Sequence, residues 1–258
     1  MKTRATAVLN LKGGVGKTTT VIHMAQLLRR DFGARVLVVD CDPQCNLTQF
    51  FGADPARGST PSLLTTGWYE DTSADFIQPT EVPGVDILAA DDSLMDLDLS
   101  QLKTERVKIY AFRMMVLELG RLEKYDYILF DCPPAFNSAC AANLIAADDV
   151  VIPIKLDAFS VAGMANVMRQ VKNMQSINPN LRVAGVLPTM WYKSDQIVDA
   201  EKVLKDSGLP FFPHIRRSNR VDGVSFDREL ANAKTGHMRD YKRFVAAYAG
   251  QGGQNGEI

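Results

Sequence analysis

The feature that most limits the fold is a glycine-rich loop, K-G-G-V-G-K-T, at residues 12–18. It follows a short apolar run and precedes a stretch in which apolar residues recur every three or four positions, so we expect it to join a strand to a helix. Its glycines let the backbone curl until successive N–H groups face one anion, and the helix start adds the positive end of its dipole. The loop therefore predicts a phosphate-binding site between the first strand and the first helix.

Apolar runs rich in Val, Ile and Leu alternate with amphipathic stretches along the chain. Such nearly continuous runs are typical of strands buried on both faces, and the crossovers between them are long enough for parallel pairing. We therefore predict one α/β domain whose mostly parallel, twisted sheet carries helices on both faces. The predicted strands are residues 5–10, 35–40, 127–131, 150–154 and 183–187, and the predicted helices are residues 18–30, 106–123, 160–177 and 195–206.

The domain boundaries are predicted from the distribution of glycine and proline in the sequence. Residues 52–84 are rich in glycine and proline, and we interpret them as an excursion from the sheet because no linker or internal repeat sets them apart. Residues 250–258, G-Q-G-G-Q-N-G-E-I, are predicted to form a disordered tail. One domain over residues 1–249 is the prediction.

Composition excludes several classes of protein. Hydrophobic residues make up 46% of the chain and charged residues 23%, which argues against disordered and fibrous proteins. No apolar segment approaches the ~20 residues of a spanning helix, and the start of the chain lacks the features of a signal peptide, so we expect a cytoplasmic protein. The four cysteines are too few for a disulfide framework and match no common zinc spacing, which predicts reduced thiols.

Within the glycine loop, each residue type suggests a role. Lys17 is predicted to reach the β and γ phosphates, and the Thr18 hydroxyl is predicted to bind Mg²⁺. The loop departs from G-x-x-x-x-G-K-[ST] because Leu11 occupies the position of the first glycine, and Lys12 is an additional lysine. The nucleotide-binding candidates in this loop are Lys12, Gly13, Gly14, Val15, Gly16, Lys17, Thr18 and Thr19.

Carboxylates end two of the predicted strands. Asp40 and Asp42 follow V-L-V-V, and Asp131 follows Y-I-L-F. Because ligands of open parallel sheets bind where the strands end, these acids are candidates for holding Mg²⁺ and for orienting the water that attacks a phosphate. Spacing leaves open which acid serves the metal, and a helix cap or an ion pair with Lys17 is the alternative for one of them.

Together these motifs resemble the deviant Walker A ATPases, a family of P-loop ATPases that includes ParA-type DNA partition proteins, MinD-type division regulators and the nitrogenase iron protein. The resemblance to ParA runs through K-G-G-V-G-K-T-T-T, D-C-D-P-Q-C-N-L-T, D-C-P-P-A-F-N-S, V-V-I-P-I and P-T-M-W to I-R-R-S-N-R-V-D-G-V-S-F. It implies that Lys12 reaches the nucleotide of a second subunit, that Asp42 orients the hydrolytic water, and that Asp131 holds Mg²⁺ through water. Asp40 would then support the metal site, and Lys17 would complete the catalytic set with Lys12 and Asp42.

The resemblance also implies a function. We expect a slow, partner-stimulated ATPase that forms a homodimer around ATP and Mg²⁺, binds double-stranded DNA without sequence preference and segregates DNA together with a ParB-like centromere-binding protein. Such a protein would associate with the nucleoid and would have no stable contact with membranes. Relatives place the adenine near the P-T-M segment, which makes Thr189 a nucleotide-binding candidate and leaves Trp191 and Tyr192 open between base stacking and core packing.

DNA contacts are expected in the last third of the chain, which is basic where the rest is acidic. ParA relatives carry DNA-contacting arginines in the stretch that holds Arg216, Arg217 and Arg220, and Lys193 lies near another such region. Phosphate contacts of this kind give affinity without sequence readout. The alternative is a set of ordinary surface arginines, or arginines paired with Asp222 and Asp227.

Three rival functions are retained. A MinD-like membrane-cycling ATPase, which positions cell division or another cellular structure, needs a basic amphipathic helix; residues 238–249 have the charges but form a short candidate. A redox role like that of the iron protein needs cysteines that share a cluster across a dimer, and the position of Cys132 does not match. A regulatory switch without DNA contact is the third.

Overall fold

The apolar runs pair into one sheet in the computed structural model, which describes residues 2–97, 107–157, 160–218 and 235–251. The seven strands in these ranges are β1 (Arg4–Val8), β2 (Val36–Asp40), β3 (Ile77–Pro79), β4 (Val85–Leu88), β5 (Tyr127–Asp131), β6 (Asp149–Lys155) and β7 (Arg182–Thr189). They lie in the order β3-β4-β2-β5-β1-β6-β7, and each neighbouring pair is parallel except β3 with β4.

Helices cover both faces of this sheet. Along β2, the side chains of Val36 and Val38 join one apolar cluster, whereas those of Leu37 and Val39 join another, because successive side chains of a strand point to opposite faces. The first cluster includes α1, α2 and α9, and the second includes α3, α5, α6, α7 and α8, which confirms the predicted fold class. The helices are α1 (Lys17–Phe32), α2 (Asn46–Phe51), α3 (Thr60–Thr66), α4 (Glu70–Ser73), α5 (Ala111–Arg121), α6 (Ser138–Ala146), α7 (Ser160–Gln175), α8 (Asp195–Lys205) and α9 (Gly236–Gly250).

The interpretation of residues 52–84 was wrong in part. They contain β3, which pairs antiparallel with β4 at the edge of the sheet, so this stretch rejoins the sheet before it ends. Strand β3 has only three residues and contains Pro79, whose missing N–H is tolerated on an edge strand. In β4, Asp86 interrupts the apolar run and accepts a hydrogen bond from the Tyr125 hydroxyl at 2.6 Å. Neither strand has the uninterrupted pattern that identifies the central strands.

Two predicted boundaries also differ from the structure. Helix α5 begins at Ala111, later than predicted, and Arg106 lies outside the described residues. Helix α9 includes Gly250, and the Gln251 side chain donates to the Ala184 carbonyl oxygen at 3.1 Å. Residues 250 and 251 therefore belong to the fold, because buried side chains hold the preceding turn against the sheet, and the rest of the predicted tail lies outside the described residues.

A buried ionic cluster attaches α9 to the sheet. The Asp149 carboxylate is fully buried and pairs with Arg4 and with Arg182, whose Nε lies 2.6 Å from it. Arg4 also donates to the Tyr248 carbonyl oxygen at 2.7 Å, and its guanidinium lies 3.9 Å from the centre of the Tyr248 ring. Since a buried charge needs partners, this cluster fixes the last turns of α9 beside β1.

Candidate nucleotide site

The sheet brings three chain segments to one edge. Val8, the last residue of β1, pairs in register with Asp131 at the end of β5, and Asp131 pairs with Asp40 at the end of β2. Because the three strands are parallel, the loops after them leave the sheet at the same side. The glycine loop after β1 therefore lies beside both acidic strand ends.

The glycine loop has the backbone conformation that a phosphate cradle needs. Gly14 and Gly16 have φ angles of 68° and 85°, in the left-handed region that favours glycine. A Cβ atom added at Gly13 or Gly14 would have no heavy atom within 4 Å, so these residues border open space. An anion can approach their backbone closely.

Neighbouring side chains hold the loop in place. The Asn10 side chain accepts a hydrogen bond from the Lys12 backbone N–H at 2.9 Å and donates to the Pro153 carbonyl oxygen at 2.7 Å. From β7, the Thr189 hydroxyl donates to the Val15 carbonyl oxygen at 2.9 Å. These contacts connect the loop to β6 and β7, so its shape is set before any ligand arrives.

Two adjoining cavities open beside the loop. The larger has a volume of about 680 Å³ and is lined by the loop glycines, Lys17, Thr18 and Asp42. The smaller has a volume of about 150 Å³ and includes Thr189 and Tyr192 in its wall. Both cavities share Gly16, Thr19 and Met190. The larger volume falls in the range of about 300–1,000 Å³ typical of small-molecule sites.

Asp131, at the end of β5, is a buried acid. Its side chain is almost fully buried, and neither carboxylate oxygen has a hydrogen-bond partner among the described residues. Burial and the nearby Asp40 raise its pKa well above the usual value, although the Thr18 hydroxyl and the Lys17 ammonium partly oppose this shift. Such a carboxylate requires a cation or a proton, and carboxylate and hydroxyl oxygens suit Mg²⁺. Asp131 and Thr18 therefore fit a magnesium ion.

Asp40 lies next to Asp131 but is fully engaged in hydrogen bonds. Its Oδ2 accepts from the Thr48 backbone N–H at 2.8 Å and from the Thr48 hydroxyl at 2.7 Å, while Oδ1 accepts from the Asp42 N–H at 3.1 Å. Burial raises the pKa of Asp40 to about 6. Asp40 thus connects the end of β2 to α2 and to the loop that carries Asp42. It can support the predicted metal site by holding these neighbouring segments in place.

Asp42 lies in a tight turn at the edge of the larger cavity. Its Oδ1 accepts from the Gln44 N–H at 3.0 Å, and its carbonyl oxygen accepts from the Cys45 N–H at 2.9 Å. Cys45 has a φ of 54°, which is unusual for a residue other than glycine. The turn leaves the Asp42 side chain in the wall of the larger cavity.

The two lysines of the loop have different surroundings. Lys17 is buried in the first turn of α1, and its Nζ donates to the Lys12 carbonyl oxygen at 3.3 Å. The Lys12 side chain is half exposed and forms an ion pair with Asp157, located just after β6. Lys17 therefore lies inside the loop, whereas Lys12 lies at the surface in a partly exposed ion pair.

The comparisons with known proteins agree with this geometry. A family model described as "AAA domain" matches residues 3–183. The chromosome partitioning protein ParA of Caulobacter vibrioides is 34% identical over 204 residues, which cover 79% of this chain and 74% of the relative.

The chain belongs to the ParA-type family of P-loop ATPases. The chromosome-partitioning ATPase Soj of Thermus thermophilus is also 34% identical, over 74% of this chain and 70% of the relative. Among solved structures, a cobyrinic acid a,c-diamide synthase from Mycobacterium smegmatis with bound ADP and magnesium has a TM-score of 0.81 and 28% identity, and the match covers 99% of this chain and 97% of that one. The family predicted from the sequence motifs is thus confirmed.

The aromatic residues after P-T-M divide between the two roles considered for them. Trp191 stacks on His214, with ring centres 3.9 Å apart and planes within 2°, and its Nε1 donates to Glu201 at 2.9 Å. Tyr192 lines the smaller cavity. In this ParA-type chain, Trp191 is thus a packing residue and Tyr192 is the aromatic residue next to the cavity.

The residues predicted to bind DNA do not share one environment. Lys193, Arg216 and Arg217 are all exposed, but the Arg216 guanidinium pairs with the buried Asp240 of α9. Arg220 lies outside the described residues, as do Asp222 and Asp227, the alternative partners. The structure therefore leaves Lys193 and Arg217 available to a polyanion and gives Arg216 a partner that the sequence did not suggest.

Several cavity residues were missed in the sequence. Gln44, Asn46, Gln49 and Phe50, around and within α2, line the larger cavity together with Pro134. Gln44 and Asn46 lie inside the D-C-D-P-Q-C-N-L-T motif, so the signal for them was present without an assigned role. Gln49 and Phe50 become visible only when α2 is placed over the loop.

The structure describes all four cysteines. Cys41, Cys45, Cys132 and Cys140 are all free thiols. Cys41 donates to the Asn143 side chain at 3.2 Å, and the Asn143 amide donates to Cys132 at 3.4 Å. Cys41 and Cys132 are buried packing groups behind the acidic strand ends, and burial raises the pKa of both thiols well above the usual value.

Proposed function

We propose that this chain is a DNA partition ATPase that dimerises around Mg²⁺-ATP, binds double-stranded DNA without sequence preference, and is reset by slow hydrolysis that a ParB-like partner stimulates. The observation that carries the proposal is the larger cavity, in which the glycine loop, Lys17 and Thr18 border an open space. At the neighbouring strand end, neither oxygen of the buried Asp131 has a hydrogen-bond partner among the described residues. An anion would satisfy the loop N–H groups and Lys17, and a cation would satisfy the Asp131 carboxylate. Mg²⁺-ATP supplies both charges.

Each part of the nucleotide has a place in the two cavities. The loop N–H groups and Lys17 would bind the phosphates, and Thr18 and Asp131 would hold the metal, which neutralises phosphate charge. The base would enter the smaller cavity, past Met190. The Mycobacterium smegmatis structure holds ADP and magnesium, which supports nucleotide and magnesium binding by this fold.

Asp42 is the residue that we assign to hydrolysis. Its carboxylate lies in the wall of the larger cavity and has one oxygen fixed by the Gln44 N–H. It can therefore orient a water molecule toward the terminal phosphate, and positioning supplies much of the rate in phosphoryl transfer. Replacement of Asp42 by Ala should leave ATP binding intact and stop hydrolysis, which prolongs the dimer.

Lys12 is the residue that we assign to dimerisation. Two nucleotides that face each other repel, so a lysine donated by each subunit makes association depend on the terminal phosphate. In the single chain this lysine pairs with Asp157, and the pair is partly exposed. Such exposed pairs are worth only about 0–1 kcal/mol, so Lys12 can leave Asp157 when a better anion arrives.

The test measures mass by light scattering and ATP hydrolysis in parallel, with magnesium and either ATP or a non-cleavable analogue. The unchanged protein should dimerise only with the triphosphate. Lys17→Ala should abolish nucleotide binding, whereas Lys12→Ala should bind nucleotide and stay monomeric. Asp157→Asn is the matched control, because it keeps Lys12 and removes its resting partner, so dimerisation should persist. A monomer under all conditions would overturn the sandwich.

DNA binding is tested with duplexes of unrelated sequence at several salt concentrations. Exposed Lys193 and Arg217 support a phosphate-binding surface, which predicts affinity that falls steeply with salt and does not depend on sequence. Arg217→Glu should loosen DNA binding and leave ATP-dependent dimerisation unchanged. A dimer that binds no DNA at any salt concentration would favour the regulatory switch instead.

The membrane-cycling alternative receives less support. Tyr241, Phe244 and Tyr248 are buried, so the apolar face of α9 packs into the core and offers little to a bilayer. A membrane-cycling ATPase needs no spanning helix, and the described part of the chain contains none with the length and hydropathy of a membrane span. Sedimentation with liposomes, with and without ATP, distinguishes the two functions, because a membrane-cycling protein would pellet only with ATP.

A further inference from the structure

Arg216 forms a well-defined ion pair at the smaller cavity. Its Nε lies 2.6 Å from Oδ2 of Asp240 and its Nη2 lies 2.9 Å from Oδ1, while its backbone N–H donates to Oδ2 at 3.2 Å. The Asp240 side chain is 3% exposed. Gly236, at the start of α9, permits this approach, because a Cβ atom there would lie 3.0 Å from the Arg216 side chain. The fit is bidentate and specific to arginine.

The residues beside Arg216 form part of the cavity wall. The Trp191 N–H donates to the Ile215 carbonyl oxygen at 2.9 Å, and the Arg217 N–H donates to the Trp191 carbonyl oxygen at 2.8 Å. Residues 215–218 therefore run beside the end of β7 and line the smaller cavity together with Tyr241 of α9. The ion pair joins the two elements that close this cavity.

Electrostatics keeps Arg216 with Asp240. The Arg216 side chain is half exposed, whereas the Asp240 side chain is buried. A DNA phosphate that captured the guanidinium would therefore leave a buried carboxylate without its charged partner, which is costly even though Arg216 itself would remain solvated. A phosphate contact at the protein surface is weakened by physiological salt and offers less in return. Exposed Arg217, the next residue, has no such competing partner among the described residues.

We propose that Arg216 is a positioning residue for the nucleotide site and not a DNA contact: its pair with Asp240 holds residues 215–218 as the wall of the smaller cavity. The assignment of the smaller cavity to the base rests on the proposed function. The pair also sets where Arg217 emerges at the surface. Nucleotide affinity should therefore depend on Arg216, and the number of DNA phosphates contacted should not.

The first experiment measures the KM for ATP and kcat, together with binding of a fluorescent ATP analogue. Arg216→Lys keeps the charge but loses the bidentate fork, and Asp240→Asn keeps the shape but loses the charge. Each should raise KM by about tenfold, roughly the effect of one good polar contact, with kcat at saturating ATP within about twofold. Arg239→Lys, at the exposed neighbouring position on α9, is the matched control and should change neither. Unchanged KM in both variants would overturn the proposal.

The second experiment separates positioning from DNA contact at saturating nucleotide. Loss of one phosphate contact lowers the slope of log affinity against log salt by about 0.9. Arg216→Gln should leave this slope unchanged, whereas Arg217→Gln should reduce it. A reduced slope for Arg216→Gln, or tighter DNA binding by Asp240→Asn, would make Arg216 a DNA ligand and contradict the proposal. If the unchanged protein binds no DNA, the partition function fails while the KM measurement still tests Arg216.

Discussion

The ends of β2 and β5 have the same sequence pattern and opposite environments. Each is an apolar strand closed by an aspartate, and Asp40 and Asp131 are partners in the sheet register. Asp40 accepts hydrogen bonds from Thr48 and Asp42, whereas Asp131 accepts none among the described residues. The difference arises from the segments that the chain enters after each strand.

After Asp40 the chain turns back through α2 and brings donors to the carboxylate. After Asp131 the sequence continues C-P-P. The Cys132 N–H donates to the Val8 carbonyl oxygen at 3.3 Å, and Pro133 and Pro134 have no N–H to offer. The segment that leads into α2 thus satisfies Asp40 with hydrogen bonds. The proline pair after Asp131 donates none, which leaves that carboxylate to a ligand.

The largest expected effect comes from replacing Asp131, the strand-end acid without hydrogen bonds among the described residues. Asp131→Asn should reduce magnesium-dependent ATP hydrolysis by more than about 100-fold, because the metal loses its anionic partner. The nucleotide-free protein should at the same time become more stable at pH 7.5 by about 1–3 kcal/mol, since a buried carboxylate without partners is removed. Urea unfolding and an ATPase assay check both. Asp71→Asn, on the exposed surface, should alter neither ATP hydrolysis nor stability. A loss of stability in Asp131→Asn would contradict the difference drawn between Asp131 and Asp40.

A second prediction concerns the donor that satisfies Asp40. The Thr48 hydroxyl donates to Asp40 and accepts from the Ala90 N–H at 2.8 Å. Thr48→Val removes both contacts without changing the shape, so the free energy of unfolding should fall by about 2–4 kcal/mol. Thr66→Val, at an exposed position of α3, should change it by less than about 0.5 kcal/mol. Equal effects of the two substitutions would mean that Asp40 does not depend on Thr48.

The third prediction uses pH. The folded-state pKa of Asp40 is about 6, above the unfolded value of about 3.9, so its stabilising contribution is complete below about pH 4 and is lost as pH rises through about 6. Unfolding of Asp40→Asn and unchanged protein in EDTA should therefore diverge between about pH 4 and 7. As pH rises over this range, the free energy of unfolding of Asp40→Asn should increase by about 2–3 kcal/mol relative to that of the unchanged protein. A shift of the opposite sign would show that burial does not control this carboxyl group.

The smallest expected effect concerns the turn after Asp42. Cys45 adopts a left-handed conformation at φ 54°, which costs a non-glycine residue about 1 kcal/mol. Cys45→Gly should stabilise the protein by about 0.5–1 kcal/mol, whereas Cys45→Ala, which keeps the Cβ atom, should not. Thermal unfolding resolves the two, and equal stability of both variants would exclude strain at Cys45.

Much of the fold was predictable because the central strands are uninterrupted apolar runs. The predicted strand at residues 127–131 matches β5, and the strand predicted at residues 35–40 differs from β2 by one residue. The edge strand β3 was missed since it has three residues and one is Pro79. Short or interrupted strands carry too little periodicity to be found without their neighbours.

The candidate site was predictable where chemistry is local in sequence. The glycine loop, Lys17 and the acids lie in compact motifs, and the Pro-Pro pair could have separated Asp131 from Asp40. The partners of Lys12 and Arg216 could not be predicted, because neither lies within a motif: Asp157 is 145 residues from Lys12, and Asp240 is 24 residues from Arg216 on a separate helix. Pairs of this kind depend on the packing of whole elements.

The position of β1 has a consequence for how this chain folds. Its two neighbours in the sheet are β5 and β6, so Arg4 pairs with Tyr127 and Val8 with Val151. The first strand cannot reach its place until most of the polypeptide has collapsed around it, and closure of such long loops slows folding. Refolding should be slow for a protein of this size, with the apolar segment before the glycine loop exposed to aggregation until the sheet closes.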